Sequence, residues 1–266
     1  MKLTMLGTGN ATVTECYNTC FVLEEDSQYF MIDGGGGNTI LGQLKKADVD
    51  WQCINDIFVT HKHIDHIMGI VWLVRMATQG MSRGGYDGEL RIYGHKEVME
   101  LLEHMCVTLL GEKEASFIGK RVHMNVVEDK QVCNIIGHDV TFFDIHSTKA
   151  KQFGFSMQLE NGEKLTCCGD EPYNDTEQEY VSNCKWLMHE AFCLYSQAEQ
   201  FKPYEKHHST VKDACQLAEQ MNVENLILYH TEDKNIKRRK QLYTEEGQAY
   251  YTGKLYVLDD LESLSL

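Results

Sequence analysis

Apolar runs of strand length alternate along this chain with stretches of helical spacing. Leu3 to Leu6, Asn18 to Leu23 and Gln28 to Ile32 read as strands, and Asn38 to Ala47 reads as a helix. Ile54 to Thr60 is an apolar run of strand length, and Ile67 to Met76 follows as an apolar helix. Leu90 to Tyr93 is a strand. Lys96 to Leu110 sets Val98, Leu101, Leu102, Met105 and Leu109 at helical spacing, which predicts a core-facing stripe. A second run of strands then begins with Asp139 to Ile145. Phe153 to Glu160 and Glu163 to Cys168 flank Asn161-Gly162, the signal of a two-residue hairpin. Lys185 to Met188 is a short strand. Thr210 to Met221 is a helix opened by a capping box of Thr210 and Asp213, and Asn225 to Tyr229 is a last strand. Two runs of strands, each with helices, predict an α/β fold.

The polar residues fall at the ends of these strands. His61-Lys62-His63-Ile64-Asp65-His66 joins a strand to a helix, and packs three histidines and an aspartate into six residues. It reads as a loop at the carboxyl end of a strand, where open α/β sheets place their ligands. Imidazole nitrogen and carboxylate oxygen suit zinc and similar divalent ions. Asp33, His146, Asp170, His189 and His230 also end predicted strands, which points to a site built from separate strand tips. Taken singly, His146, Asp170 and His230 would be ordinary packing or capping residues. Asp33 precedes Gly34 to Gly37, which lacks the Lys and Ser/Thr of a phosphate-binding loop and reads as a turn with room for a neighbour. Gly80 to Gly88 predicts a flexible segment able to overhang the site. His95, His104, His123 and His138 stand in no motif and read as surface or packing residues.

Composition narrows the classes. With 266 residues, 42% hydrophobic, and only two prolines, the chain reads as one globular domain over 1–266. No apolar stretch approaches a membrane span, and the amino terminus reads directly as strand and turn, so the expected location is cytoplasmic. Ten cysteines without a C-x-x-C pair are expected to be reduced and mostly buried. A net charge of −15 disfavours an extended nucleic-acid surface but allows a small anionic substrate beside metal ions. The basic run Lys234 to Lys240 reads as a solvated helix face.

The motif Thr60-His61-Lys62-His63-Ile64-Asp65-His66 resembles the signature of the metallo-β-lactamase superfamily. With Leu6-Gly7-Thr8-Gly9, Ile32-Asp33, His146-Ser147, Gly169-Asp170, His189-Glu190-Ala191, His208-Ser209-Thr210 and Leu228-Tyr229-His230, the chain resembles the ribonuclease Z branch over almost its whole length. The resemblance implies an αββα sandwich of two mixed sheets flanked by helices. It implies two divalent metal ions, zinc first, with manganese and iron(II) also suited to such donors. His61, His63 and His146 would hold one ion, and Asp65, His66 and His230 the other. Asp170 would bridge them, and a metal-bridging hydroxide would be the nucleophile. Asp33 would orient a ligand rather than bind metal. His208, held by Glu190, would protonate the leaving alkoxide, and Asp65, Glu190 and His208 make up the catalytic set.

One feature of the branch is missing. Its tRNA-gripping arm lies between the positions matched by His146 and Asp170, which here are only 24 apart (170 − 146). The glycine run after Asp33 also departs from the branch's usual Gly-Glu-Gly. The expected activity is therefore a dinuclear phosphodiesterase for small anionic phosphodiesters such as cyclic nucleotides or phosphonate-derived cyclic phosphates, with tRNA disfavoured. The alternatives are a ribonuclease Z-type tRNA 3′ endonuclease, a sulfatase or a lactonase on the same fold, and a non-catalytic metal module. A homodimer is expected only because the branch often dimerises.

Overall fold

The computed structural model describes residues 1–266, the side chain of Asn161 apart. Backbone contacts divide the chain into two compact units. The first comprises Met1–Gly7, Tyr17–Glu128 and Asp260–Leu266, and the second Thr8–Cys16 and Asp129–Asp259. Each holds one mixed seven-stranded sheet with its helices.

In the first unit the strands are β1 (Lys2–Gly7), β2 (Cys20–Glu25), β3 (Gln28–Ile32), β4 (Ile54–Phe58), β5 (Leu90–Gly94), β6 (Val122–Val126) and β14 (Ser263–Ser265). They lie in the order β14-β1-β2-β3-β4-β5-β6. The β14 to β3 half is antiparallel and the β3 to β6 half is parallel. The helices are α1 (Thr39–Lys46), α2 (Ile64–Arg83), α3 (Lys96–Leu109) and the single turn α4 (Glu112–Ala115). Their apolar faces bury Ile40, Leu44, Ile70, Val74, Val98 and Leu102 against the sheet residues Met31, Ile57 and Ile92.

Three expectations shift here. The helix after the histidine motif starts at Ile64, so Asp65 and His66 lie in its first turn rather than in a loop. It runs on to Arg83 and stops at Gly84 in the left-handed conformation (φ 72°), so the start of the Gly80–Gly88 segment is helix. Tyr86 then anchors the rest. It is buried, stacks on Trp51 at 6.1 Å and donates a 2.7 Å hydrogen bond to the Ile54 carbonyl. That places the segment at the amino end of β4, away from His61, so it does not overhang the motif. On α3 the buried residues are Val98, Met99, Leu102 and Cys106, while Leu109 is exposed. Val98, Leu102 and Cys106 form the buried i, i+4, i+8 row, and Leu109, on the same face, is exposed as the last residue of the helix.

In the second unit the strands are β7 (Val132–Ile135), β8 (His138–Asp144), β9 (Phe153–Gln158), β10 (Lys164–Cys167), β11 (Trp186–Glu190), β12 (Asn225–Tyr229) and β13 (Lys254–Val257). Their order is β13-β12-β11-β10-β9-β8-β7. The pairs β7–β8, β8–β9 and β9–β10 are antiparallel, and β10 to β13 are parallel. The helices are α5 (Gln178–Val181), α6 (Ala198–Phe201), α7 (Val211–Gln220) and α8 (Arg239–Gly247). The Thr210–Asp213 capping box forms as expected. The β9–β10 hairpin also forms, but Lys164 pairs with Gln158, so residues 159–163 make a wider connection through one 3-10 turn. The basic run is not uniformly solvated, because Arg239 is 0% exposed.

Glycine decides one packing contact in the first unit. The Gly34 and Gly35 backbone lies directly against α2 at Gly69, whose N–H donates to the Gly35 carbonyl at 2.9 Å. A Cβ on Gly69 would run into the Gly34 carbonyl oxygen. Within a helix Gly→Ala ordinarily stabilises by about 1 kcal/mol. At Gly69 the sign reverses, and Gly69→Ala is expected to destabilise by about 1–3 kcal/mol in chemical denaturation.

Glu177 is buried, and burial raises its pKa from 4.5 to about 8. Across that window the folded chain keeps a proton that the unfolded chain releases, so stability falls as pH rises from 4.5 towards 8. Glu177→Gln keeps an acceptor for the Asn174 N–H and removes the titration. Denaturation curves at about pH 5 and about pH 8.5 should show its advantage over the parent growing with pH.

Candidate metal centre

In the first unit, β3 and β4 are parallel neighbours, with Ile32 opposite Phe58, so their carboxyl ends emerge side by side. Asp33 follows β3 with φ 56°, and is 2% exposed. Its Oδ1 accepts the Thr60 N–H at 2.9 Å and its Oδ2 accepts the Thr60 hydroxyl at 2.8 Å. Oδ2 also lies 2.7 Å from His66 Nδ1. Thr60 Oγ1 lies 2.9 Å from His61 Nδ1. One buried carboxylate thus fixes His66 directly and His61 through Thr60.

The remote nitrogens then meet. His61 Nε2 is 2.8 Å from His63 Nδ1, and His66 Nε2 is 3.4 Å from Asp65 Oδ2. The His61 and His66 ring centroids are 4.2 Å apart. Each of these two imidazoles is held at Nδ1, leaving Nε2 turned towards another donor. Metal-binding histidines are oriented in this manner. Three imidazoles and a carboxylate crowded with their nitrogens at hydrogen-bond distance fit a divalent cation better than they fit each other. Asp65 also sits in the first turn of α2, where a negative charge is favoured by the helix dipole.

In the second unit the strand tips again share an edge. β10, β11 and β12 are parallel, so Asp170, Glu190 and His230 emerge together. His230 Nε2 lies 3.6 Å from Asp170 Oδ2. Buried Gln152 donates to Asp170 Oδ1 and accepts its N–H at 3.4 Å. Tyr229 donates to the Gly169 carbonyl, tying the β12 tip to the β10 tip, and burial pushes its phenol well above the usual range. His230 has φ 58°. The following Thr231 is pinned by the Arg239 guanidinium, which donates to Thr231 Oγ1 at 2.8 Å, Thr8 Oγ1 at 2.9 Å, Asp259 Oδ1 at 2.8 Å and the Leu258 carbonyl at 3.0 Å. Asn10 N–H donates to the Thr231 carbonyl at 3.0 Å.

His146 stands after β8 with φ 53°, and its side chain is exposed. Among the described residues it lies in no compact group of donor atoms. The turn after it is held by Glu171, whose Oε1 accepts from Ser147 Oγ at 2.6 Å.

Of the adjacent histidines His189, His207 and His208, His208 is the one whose ring faces the Glu190 carboxylate. Its Nδ1 is 3.5 Å from Glu190 Oε2, and its ring centroid is 5.3 Å from that of His230. Glu190 is fully buried and accepts the Ser209 N–H at its other oxygen. His207 is exposed, with Nδ1 3.1 Å from Thr148 Oγ1. His189 is buried, with Nδ1 2.7 Å from the Glu190 carbonyl oxygen.

Sequence reasoning passed over Gln152, Glu171 and Arg239. Glu171 directly follows a singled-out aspartate, and that adjacency was its only signal. Gln152 and Arg239 gave none, since Gln152 meets Asp170 18 positions away and Arg239 meets partners 8 to 231 positions away in the chain.

The family described as Anti-Pycsar protein Apyc1 matches residues 1–251 of the chain. A curated ribonuclease Z from Picosynechococcus sp. is 27% identical, over 86% of this chain and 84% of its own. The metallo-β-lactamase fold protein YhfI from Bacillus subtilis superposes with a TM-score of 0.79 at 16% identity, covering 99% of this chain and 98% of that one. The short form of human tRNase Z gives a TM-score of 0.74 at 21% identity, covering 100% and 99%. At these identities the structural likeness shows the fold, a metallo-β-lactamase fold, and nothing narrower.

Asp33→Ala removes the shared acceptor of Thr60 and His66. It is expected to weaken metal binding by about 10- to 100-fold, read by competition against a chromophoric chelator.

Proposed function

Because the chain belongs to the Anti-Pycsar protein Apyc1 family, we propose that this metal-dependent hydrolase is a dinuclear phosphodiesterase acting on small anionic phosphodiesters such as cyclic nucleotides. The observation that carries the reading is His208, set between Glu190 and His230. An alkoxide is a poor leaving group and needs a proton as it departs, whereas an activated leaving group such as a nitrophenolate does not. Small substrates are favoured because the stretch from His146 to Asp170 is filled by the β9–β10 hairpin, and because the net charge is −15.

The assigned ligands are His61, His63 and His146 for one ion and Asp65, His66 and His230 for the other, with Asp170 shared. The fixed Nδ1 atoms of His61 and His66 support this set, and so do the strand-tip positions of the rest. Bound divalent ions supply a water acidic enough to attack near neutral pH and positive charge for the phosphoryl oxygens. The donor set suits zinc first. The chain's own residues do the remainder. Asp33 and Thr60 hold the imidazoles in register. Gln152 orients the Asp170 carboxylate. Glu190 faces Nδ1 of His208 at 3.5 Å, a contact that tightens in the working complex, and Nε2 gives its proton to the departing oxygen.

The curated relatives' name favours a second reading, trimming of tRNA 3′ ends. Zinc- or manganese-loaded protein should be offered a cyclic nucleotide panel, a 4-nitrophenyl phosphodiester and a 3′-extended tRNA precursor. Turnover of the small diesters with the precursor intact is expected, and specific trimming of the precursor would establish the tRNA reading instead. On the cyclic nucleotides, His208→Ala is expected to lose about 10²- to 10⁴-fold in kcat with its metal content kept. An equal loss of metal would make His208 a ligand or a structural residue.

A further inference from the structure

Glu190 meets the His208 ring at one atom, Nδ1, 3.5 Å away. A single contact at one end of an imidazole leaves the ring free to tilt about it. The face of the ring is held by Phe192. Their centroids are 5.1 Å apart and their planes differ by 7°. Such a parallel pair is a favoured aromatic arrangement, and it fixes the angle that a one-point contact does not. His230, the other ring neighbour, meets His208 at 38° and offers no such platform.

Phe192 is itself immobilised. It is 6% exposed, and Phe201 packs at right angles to it, at 6.3 Å and 83°. The Lys206 ammonium stands 4.9 Å from its ring centre. Its N–H donates to the Ser209 carbonyl at 3.0 Å, next to His208 in the chain, and its carbonyl accepts the Glu232 N–H at 2.8 Å and the Tyr243 hydroxyl at 3.2 Å.

We propose that Phe192 is a positioning residue for proton transfer, the platform that sets the tilt of His208 so that its Nε2–H is aimed at the leaving oxygen. This deepens the phosphodiesterase reading and rests on His208 being the proton donor. In the step concerned, the attacking water gives up a proton to solvent, its oxygen forms a new bond to phosphorus and the ester P–O bond breaks. The bonding pair leaves on the departing oxygen, which takes the proton from Nε2, and His208 is reprotonated from solvent. Phe192 touches none of the reacting atoms. Its loss therefore matters only where the departing oxygen needs the proton. An alkoxide does, and a nitrophenolate leaves without it.

The test compares Phe192→Leu, Phe192→Tyr and His208→Ala, as loaded enzymes, on an alkyl diester and a 4-nitrophenyl diester. Phe192→Leu is expected to lose about 10- to 100-fold in kcat on the alkyl diester and less than about 2-fold on the nitrophenyl one, with KM and metal content held. Phe192→Tyr, which keeps the flat ring, should recover the alkyl rate. Equal loss on both esters, or no loss on the alkyl ester, overturns the proposal. His208→Ala separates the two levels. If it shows no leaving-group selectivity, the proton-donor reading fails and takes Phe192 with it. If it is selective and Phe192→Leu is not, Phe192 alone fails. A second readout needs no metal. In the unloaded protein the Phe192 ring current acts on the carbon-bound ring protons of His208, and their resonances should shift in Phe192→Leu. Unmoved resonances would also overturn the proposal.

Discussion

The first unit's donor cluster depends on one buried carboxylate. Asp33 is almost wholly out of water, and it accepts the Thr60 N–H, the Thr60 hydroxyl and the His66 Nδ1 side. An uncompensated charge at such a depth would cost several kcal/mol. The protein offsets that cost by surrounding the carboxylate with polar partners, and those partners are the ones that carry or touch His61 and His66. The glycine turn that follows is part of the same constraint. Gly34 N–H donates to the His66 carbonyl at 2.8 Å, and the Gly35 carbonyl receives the Gly69 N–H. The end of β3 and the first turn of α2 are thereby locked to each other. A cluster of like donors, which gains nothing by approaching one another, is held in place by hydrogen bonds made behind it.

The sheets explain why the donors gather at edges. In a parallel set every carboxyl end falls on the same side. Asp33 and His61 therefore leave neighbouring strands in the first unit, as Asp170, Glu190 and His230 do in the second. The chain then turns sharply, because Asp33, His146 and His230 are all left-handed, at φ 56°, 53° and 58°. A non-glycine residue there costs about 1 kcal/mol or more, and Asp and His are among the side chains that tolerate it best. Such strain persists only where surrounding contacts enforce it. At His230 the enforcement is visible in the Arg239, Thr8 and Asn10 contacts around Thr231.

Much of this was legible in the sequence. Ten of the fourteen strands could be read from apolar periodicity, though not β6, β7, β13 or β14, and the histidine motif from its density between a strand and a helix. The recurrence of His or Asp at strand tips pointed to a composite site before any relative was considered. What escaped was set by contacts across the chain. Periodicity could not show that α2 begins inside the motif, because Ile64-Asp65-His66 has no apolar stripe of its own. The Gly80–Gly88 segment looked mobile by composition, yet Tyr86 fastens it to Ile54. Arg239 read as one more solvated cation, since nothing near it in sequence announces that Thr8 and Asp259 will surround it. An orienting role for Asp33 was expected, but its partners Thr60 and His66 lie 27 and 33 positions away and were not.

Under the proposed roles, the placement of His208 separates two chemical tasks that use the same side chain. A ligand imidazole needs one nitrogen fixed and the other turned to the ion, and His61 and His66 are fixed at Nδ1 through Thr60 and Asp33. A proton donor needs its ring plane controlled as well, because a proton is transferred along a direction. Hydrogen bonds at one nitrogen govern position better than tilt, whereas an aromatic face governs tilt. His208 is the histidine here that has both a carboxylate at its edge and a phenyl ring parallel to its face. The segment from Glu190 to Cys193 supplies both constraints. It runs beside His208–Thr210, with Phe192 N–H bonded to the Ser209 carbonyl and Val211 N–H to the Cys193 carbonyl. A short stretch of backbone pairing thus brings the acid's two supports into place together, and the α7 capping box secures the far side of that pairing.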